Sequence, residues 1–197
     1  MIDMYWKGEE RIPKNKTEKD ALYQAQEIAD FYCYSQFIND KQPGTTITKA
    51  PEYTPYDAVQ NNDIWIELKA RHRYSLEDFD TFDLSLYKID KLRTYTYSNN
   101  ETPKYIYVAA LWTQDNKITL HPITEYVTND DEYDKLINSD RLIKKWTSRK
   151  ATDNNNKKFE NTLITFNLND KTQTLTYSYD LTNYWQLCEE AYNNILN

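Results

Sequence analysis

Glycine is almost missing from this chain: there are two in 197 residues. Loops that wrap a phosphate need glycine because the backbone itself must approach the ligand. Neither G-x-x-x-x-G-K-[ST] nor G-x-G-x-x-G occurs, and G-x-S-x-G is absent too, which excludes P-loop, dinucleotide-binding and serine-hydrolase chemistry of the usual kinds. Cysteine and histidine are equally scarce. Cys33 and Cys188 stand alone, without a C-x-x-C and with only His72 and His121 to help, so neither a disulfide framework nor a zinc site is expected. Both cysteines read as small buried apolar residues. No stretch approaches the roughly 18 uncharged apolar residues of a membrane span, and Met1–Arg11 lacks the apolar run and cleavage site of a signal peptide. The expected location is therefore cytoplasmic. With 39% hydrophobic residues the length suits one domain, 1–197, and is short for two.

Charge is lopsided. The net value of −7 argues against a protein that coats nucleic acid by bulk electrostatics. Yet Arg141–Lys158 holds Arg141, Lys144, Lys145, Arg149, Lys150, Lys157 and Lys158 against Asp153 alone, a local +6 that leaves −13 on the rest. That segment can meet phosphate while the remainder repels it. A solvated helix end running into a polar loop at Thr152–Lys158 is the alternative.

Periodicity places the elements. Thr17–Phe37 reads as a helix, with Thr17 and Asp20 as a capping box and Ala21, Leu22, Ala25, Ile28, Ala29 and Tyr32 as its apolar stripe. Thr45–Thr48 is a weak strand. Tyr56–Val59 and Ile64–Arg71 read as a hairpin about a polar turn. Ser75-Leu-Glu-Asp is a second capping pattern, opening a helical region striped by Phe82, Leu86, Ile89 and Leu92. Strands follow at Tyr105–Trp112 and Lys117–Ile123. Asp131–Trp146 reads as helical with a break near Asn138, Thr162–Leu168 and Thr172–Ser178 as a hairpin about Asn169-Asp170, and Leu181–Leu196 as an amphipathic helix.

The stretch YDAVQNNDIWIELKAR, residues 56–71, carries the chemistry. Side chains alternate across a strand, so Ile64, Ile66, Leu68 and Ala70 share one face and Trp65, Glu67, Lys69 and Arg71 the other. The hairpin brings Asp57 alongside. Two carboxylates converging from neighbouring strands offer hard oxygens of the kind magnesium takes, together with water and substrate phosphate. A lysine beside them can activate water or stabilise charge developing on a phosphate.

Pro55-Tyr56-Asp57 followed by Glu67-Leu68-Lys69 in the second strand of a hairpin, with a helix before and after, resembles the PD-(D/E)xK nuclease superfamily. The resemblance covers about residues 17–112 and implies an α/β (mixed α+β) restriction-endonuclease-like core. Its order would be helix, three antiparallel strands, helix, strand, giving a central mixed β-sheet flanked by helices. Residues from about 113 to 197 would then be an elaboration, a C-terminal β-hairpin plus helix. It further implies that Asp57 and Glu67 hold Mg²⁺ (or Mn²⁺), joined by the Leu68 carbonyl and by Glu27 from the first helix, and that Lys69 is the catalytic lysine. Some members carry Gln-x-x-x-Tyr in the following helix. Here Lys91-Leu-Arg-Thr-Tyr95 has lysine in the glutamine's place. The implied activity is metal-dependent phosphodiester hydrolysis in nucleic acid, DNA ahead of RNA, and the family allows a homodimer.

Arg71, Arg73, Lys88 and Lys91 are the contacts expected near that site, with Lys144, Lys145, Arg149 and Lys150 in the basic segment. Trp65 is expected to pack under a helix and His72 to be a polar surface residue. Asp115-Asn-Lys117 repeats the acid-x-Lys spacing but lacks an upstream aspartate on a paired strand. Three readings compete with a working nuclease. One is an exposed strand whose Glu67 and Lys69 are simply solvated. Another is an acidic interaction protein that imitates DNA, and the last a degenerate nuclease fold that only binds nucleic acid.

Overall fold

The computed structural model describes residues 4–6, 9–11, 13–150 and 156–196. Short strands β1 (Met4–Trp6) and β2 (Glu9–Arg11) pair with each other and lead into α1 (Lys16–Lys41). The cap of α1 sits two residues ahead of the expected one. Asn15 accepts from the Glu18 N–H at 2.9 Å, and the Glu18 carboxylate accepts from the Lys14 N–H at 2.7 Å. Leu22, Ala25, Ala29, Cys33 and Phe37 are buried along one line of the helix. Ile28 and Tyr32, expected in that stripe, fall about 100° to its side and are exposed. Gly44, at φ +88°, supplies the left-handed turn that leads the chain away from α1.

The main sheet has six strands. β3 (Ile47–Lys49), β4 (Ala58–Gln60) and β5 (Ile64–Arg71) form an antiparallel run. The chain then crosses over through α2 (Leu86–Asn99) to β7 (Tyr105–Trp112), which lies parallel to β5. β8 (Lys117–Pro122) and β11 (Leu175–Ser178) extend the far edge antiparallel. The order of helix, three antiparallel strands, helix and strand expected from the sequence is present, and the sheet is mixed. β5 and β7 lie at its centre with both faces covered, which is why β7 reads as an almost unbroken apolar run.

Helices lie on both faces. On one, α1 and α5 (Tyr184–Leu196) pack on Ile66, Leu68, Ala109 and Leu111. On the other, Trp65, Ile106, Val108 and Ala110 meet α2, α3 (Thr124–Thr128), α4 (Asp130–Ile137) and a second sheet of β6 (Thr81–Ser85), β10 (Asn156–Asn167) and β9 (Leu142–Lys150). Cys33 and Cys188 are buried and free, as expected. Among the described residues no helix is long and apolar enough to cross a membrane.

That second sheet corrects three expectations. Phe82 is in strand β6, where Phe82 and Leu84 bury alternately against β10, and the helix starts only at Leu86. Phe82, Leu86 and Ile89 fit a helical spacing as well, so period alone favoured the wrong element. Ser75 does cap, but it caps a single 3-10 turn at Leu76–Asp78. α4 ends at Ile137 with its C-cap at the expected break, Asn138, and the chain beyond it is strand β9 rather than helix. Thr162–Leu168 and Thr172–Ser178 do not pair with each other. β10 pairs with β9 and β6, whereas β11 joins β8 in the main sheet. The cause is Asp170, whose carboxylate accepts from the Thr172 N–H and hydroxyl while its carbonyl accepts from the Gln173 and Thr174 N–H groups, so the chain turns a corner between sheets. The C-terminal hairpin is therefore β9–β10, followed by β11 and then α5. The loop expected at Thr152–Lys158 lies outside the described residues up to 155, and Asn156–Lys158 belong to β10.

Candidate active site

Asp57 is fixed by backbone pairing just before β4. Its N–H donates to the Ile66 carbonyl at 2.8 Å, and its carbonyl accepts from the Ala50 N–H at 3.0 Å. Its side chain then reaches across to β5, where Oδ2 accepts from the Leu68 N–H at 2.7 Å. The neighbouring residue on β5 is Glu67, whose side chain is completely buried. Lys69, two residues along the same face, closes an ion pair on Glu67 Oε1, and Lys88 of α2 places Nζ 2.6 Å from Oε2. Neither Glu67 oxygen has a hydrogen bond of good geometry, so the two ammoniums are its neutralising partners. Burial pushes the Glu67 carboxyl up from its ordinary value, with Asp57 adding to the rise and the two lysines opposing it. The reading of β5 as an exposed strand with solvated charges fails on this point, because a solvated glutamate is not sealed under two lysines.

A cleft of about 700 Å³ opens beside Asp57 and Lys69. α1 contributes Glu27 and Asp30 to its wall, and β5 contributes Leu68, Lys69 and Ala70. Glu27, expected from the sequence, is on the exposed surface of α1 facing the cleft. Asp30, one turn later, was not anticipated. Its Oδ1 accepts from the Tyr184 hydroxyl at 2.6 Å, and that hydroxyl lies 3.1 Å from His72 Nε2. His72 packs at a tilt against the rings of both Tyr184 and Trp185 and is part-buried, so it is not the surface residue expected. Burial pulls its imidazole down to about 4. The C-terminal helix thus contacts two cleft-lining residues, Asp30 and His72, through Tyr184. Asp30 was legible only as an acid set between the buried positions Ala29 and Cys33.

Burial, reinforced by the Asp57 charge, raises the Asp30 carboxyl from 3.8 to about 7, against the Tyr184 hydrogen bond and Lys69. A carboxyl raised in this way adds stability that is complete below about pH 4 and is lost as pH rises through about 7. Asp30→Asn is therefore expected to stabilise the metal-free protein at pH 8, on the order of a few kcal/mol at most, and to change little at pH 4. Urea unfolding at both pH values checks this, and an equal effect at the two would refute it.

The basic residues divide. Lys88 is spent on Glu67. Arg71 lies over the Phe82 ring at 4.7 Å with its guanidinium near the Ala70 and Asp83 carbonyls, which makes it part of the packing between the sheets. Arg73 and Lys91 are exposed, beside Tyr74 and Tyr87 respectively. Tyr95 packs edge-on against Tyr56 and Trp65, and Trp65 is buried and stacked on Tyr56 at 4.4 Å, a packing role as expected. So the helix residue that reaches the site is Lys88 and not Lys91. The side chains of Lys144, Lys145, Arg149 and Lys150 lie outside the described residues, although their backbone forms β9. Asp115, the second acid-x-Lys, accepts from the Ser75 hydroxyl at 2.6 Å and holds the 3-10 turn in place.

Among the described residues no three His, Cys, Asp or Glu side chains are gathered closely enough to enclose a metal ion. A divalent cation that keeps several waters and takes one or two carboxylates has less stringent needs. Asp57, anchored through one oxygen, and Glu67, whose oxygens lack any fixed hydrogen bond, fit such an ion.

No protein-family model matches the sequence, and no curated protein does. Among solved structures, the fold is similar to that of Hjc, a Holliday junction resolvase from the archaeal hyperthermophile Archaeoglobus fulgidus. The identity is 17%, with 48% of this chain and 72% of that chain covered, and the TM-score is 0.34.

Proposed function

We propose that this chain is a metal-dependent nuclease of the PD-(D/E)xK type that hydrolyses phosphodiester bonds in DNA. The observation that carries this reading is the convergence of Asp57, Glu67 and Lys69 beside an open cleft, with Glu67 fully buried and neutralised only by ammoniums. Strands rarely bury a glutamate for packing, since removing the charge from water costs several kcal/mol that an apolar residue there would avoid. A DNA mimic needs its carboxylates on the surface, so a sealed Glu67 does nothing for it.

Asp57 and Glu67 would hold the metal, Mg²⁺ or Mn²⁺, which when bound supplies charge neutralisation at the phosphate and at the leaving oxygen. Asp57 keeps its orientation through the Leu68 N–H, so one oxygen stays available whatever occupies the cleft. Lys69, about one-third exposed at the cleft wall, is placed to orient the attacking water and to stabilise negative charge growing on the phosphate oxygens. Glu27 and Asp30 border the same space and would order further water around the scissile group. Arg73 and Lys91, with Lys144, Lys145, Arg149 and Lys150 of the basic segment, are the proposed backbone contacts, which position nucleic acid without reading its sequence.

The test is incubation of the full chain with duplex, branched, single-stranded DNA and RNA in Mg²⁺ or Mn²⁺ against EDTA. Cleavage of DNA that EDTA abolishes is expected. Absence of cleavage in every arm, with the protein folded, would leave the degenerate binding module as the better reading.

A further inference from the structure

Glu67 does not face the cleft in this structure: the ammoniums of Lys69 and Lys88 cover both of its oxygens. The two lysines are not equivalent. Lys69 is on the same strand as Glu67, two residues away and on the same face, and lines the cleft, so its tether holds it close to Glu67 in every state of the site. Lys88 arrives from a different element, the first turn of α2, on a flexible four-carbon stem, and is 24% exposed. Together with Asp57 the four charges cancel. A divalent cation between Asp57 and Glu67 would leave the cluster at +2 in a place that excludes water from Glu67, and like charges at such range repel strongly. One ammonium must give way, and the one on the separate element is free to do so.

We propose that Lys88 is a positioning residue that occupies the metal's place on Glu67 in the metal-free protein and withdraws when a divalent cation binds. The inference rests on the nuclease reading, because it takes Asp57 and Glu67 as the metal's ligands. Its consequence is thermodynamic. Lys88 and the metal compete for one carboxylate, so each weakens the other's hold by the same factor. Lys88 keeps the buried carboxylate neutralised and in place until the metal arrives, and it lowers metal affinity as a result.

Calorimetric titration of the full chain with Mn²⁺, without nucleic acid, tests this in wild type, Lys88→Gln and Lys88→Arg, with melting curves of each metal-free protein. Lys88→Gln keeps a hydrogen-bond donor for Glu67 and so protects the fold while removing the competing charge. The expected result is Mn²⁺ binding at least about tenfold tighter in Lys88→Gln than in wild type, with a lower metal-free melting temperature, and wild-type behaviour in Lys88→Arg. A residue with a merely structural role would weaken both stability and metal binding. If wild type binds Mn²⁺ and Lys88→Gln binds it equally or more weakly, the competition is disproved while the nuclease reading stands. If only Lys88→Gln binds, the competition is upheld in its strongest form. If neither protein binds Mn²⁺, the proposal and the metal reading on which it rests both fail.

Discussion

Lys69→Ala and Glu67→Gln are each expected to lower metal-dependent DNA cleavage by at least about a thousandfold, while Lys91→Ala stays within about tenfold of wild type. The difference follows from position. Glu67 and Lys69 are where β5 presents a carboxylate and an ammonium together, whereas Lys91 is one turn further along α2, exposed, and 4.9 Å from the Tyr87 ring. Truncating Lys91 removes one proposed phosphate partner and weakens binding. Replacing Glu67 removes a proposed metal ligand, and replacing Lys69 removes a proposed source of charge stabilisation that counts most in the transition state. Glutamine is the right replacement for Glu67. On the strand pattern alone Glu67 points away from any core, so that even alanine would leave the fold alone. Its complete burial shows otherwise, since alanine would leave two ammoniums facing each other over a void. Single-turnover cleavage by each variant at saturating Mn²⁺ is the measurement. A Lys69→Ala protein that cuts as fast as wild type would end Lys69's assignment.

The second large effect is on stability. Removing both counter-charges, Lys69→Met with Lys88→Met, is expected to destabilise the metal-free protein by about 3 kcal/mol at pH 8, because it strands a buried carboxylate. The low end of the usual range applies because Lys69 is partly exposed and shares its work with water. For a chain of this length that corresponds to a fall of roughly 6–12 °C in Tm. Adding Glu67→Gln should recover most of the loss. The pH dependence has a definite sign. Glu67 titrates above its ordinary 4.5 in the folded protein, and losing the lysines takes away the two influences that lower it. Its unfavourable contribution is therefore absent below about pH 4.5 and grows as pH rises through its folded value. The double variant should approach wild type in acid and fall behind it in base. Equal losses at pH 5 and pH 8 would mean that shape, and not charge, is what the lysines supply.

Much of the candidate site's geometry is legible in residues 56–71. Period-2 alternation put Glu67 and Lys69 on one face, and the polar turn between two β-rich runs brought Asp57 alongside, both local consequences of strand geometry. What lay outside that reach was the pairing of Lys88 with Glu67, since the sequence places Lys88 near the site only as a nucleic-acid contact. Lys88 is 21 residues from Glu67, and it meets it only because β6 interrupts the chain before α2 begins, a strand that a helical period had concealed. The partner that makes Phe82–Ser85 a strand is β10, some 80 residues on, and no local pattern announces it. Asp30 was missed for a related reason. Its neighbour in space, Tyr184, comes from the last helix, so a residue 154 positions away holds this part of the cleft wall from behind. The corner at Asp170 looks like a hairpin turn in sequence because Asn-Asp suits both, and only the sheets on either side distinguish them.

The central claim is that Asp57 and Glu67 form a site for a divalent cation, and a melting curve tests it without any substrate. Wild type is expected to gain about 2.7 kcal/mol of stability from Mn²⁺ at a hundred times its dissociation constant. Asp57→Asn keeps an oxygen for the Leu68 N–H but removes a charge that burdens both Glu67 and Asp30. It should melt at or above wild type without metal and gain nothing from Mn²⁺. If millimolar Mn²⁺ leaves the wild-type curve unmoved and Asp57→Asn melts lower, the two carboxylates hold no metal and the nuclease reading loses its physical basis.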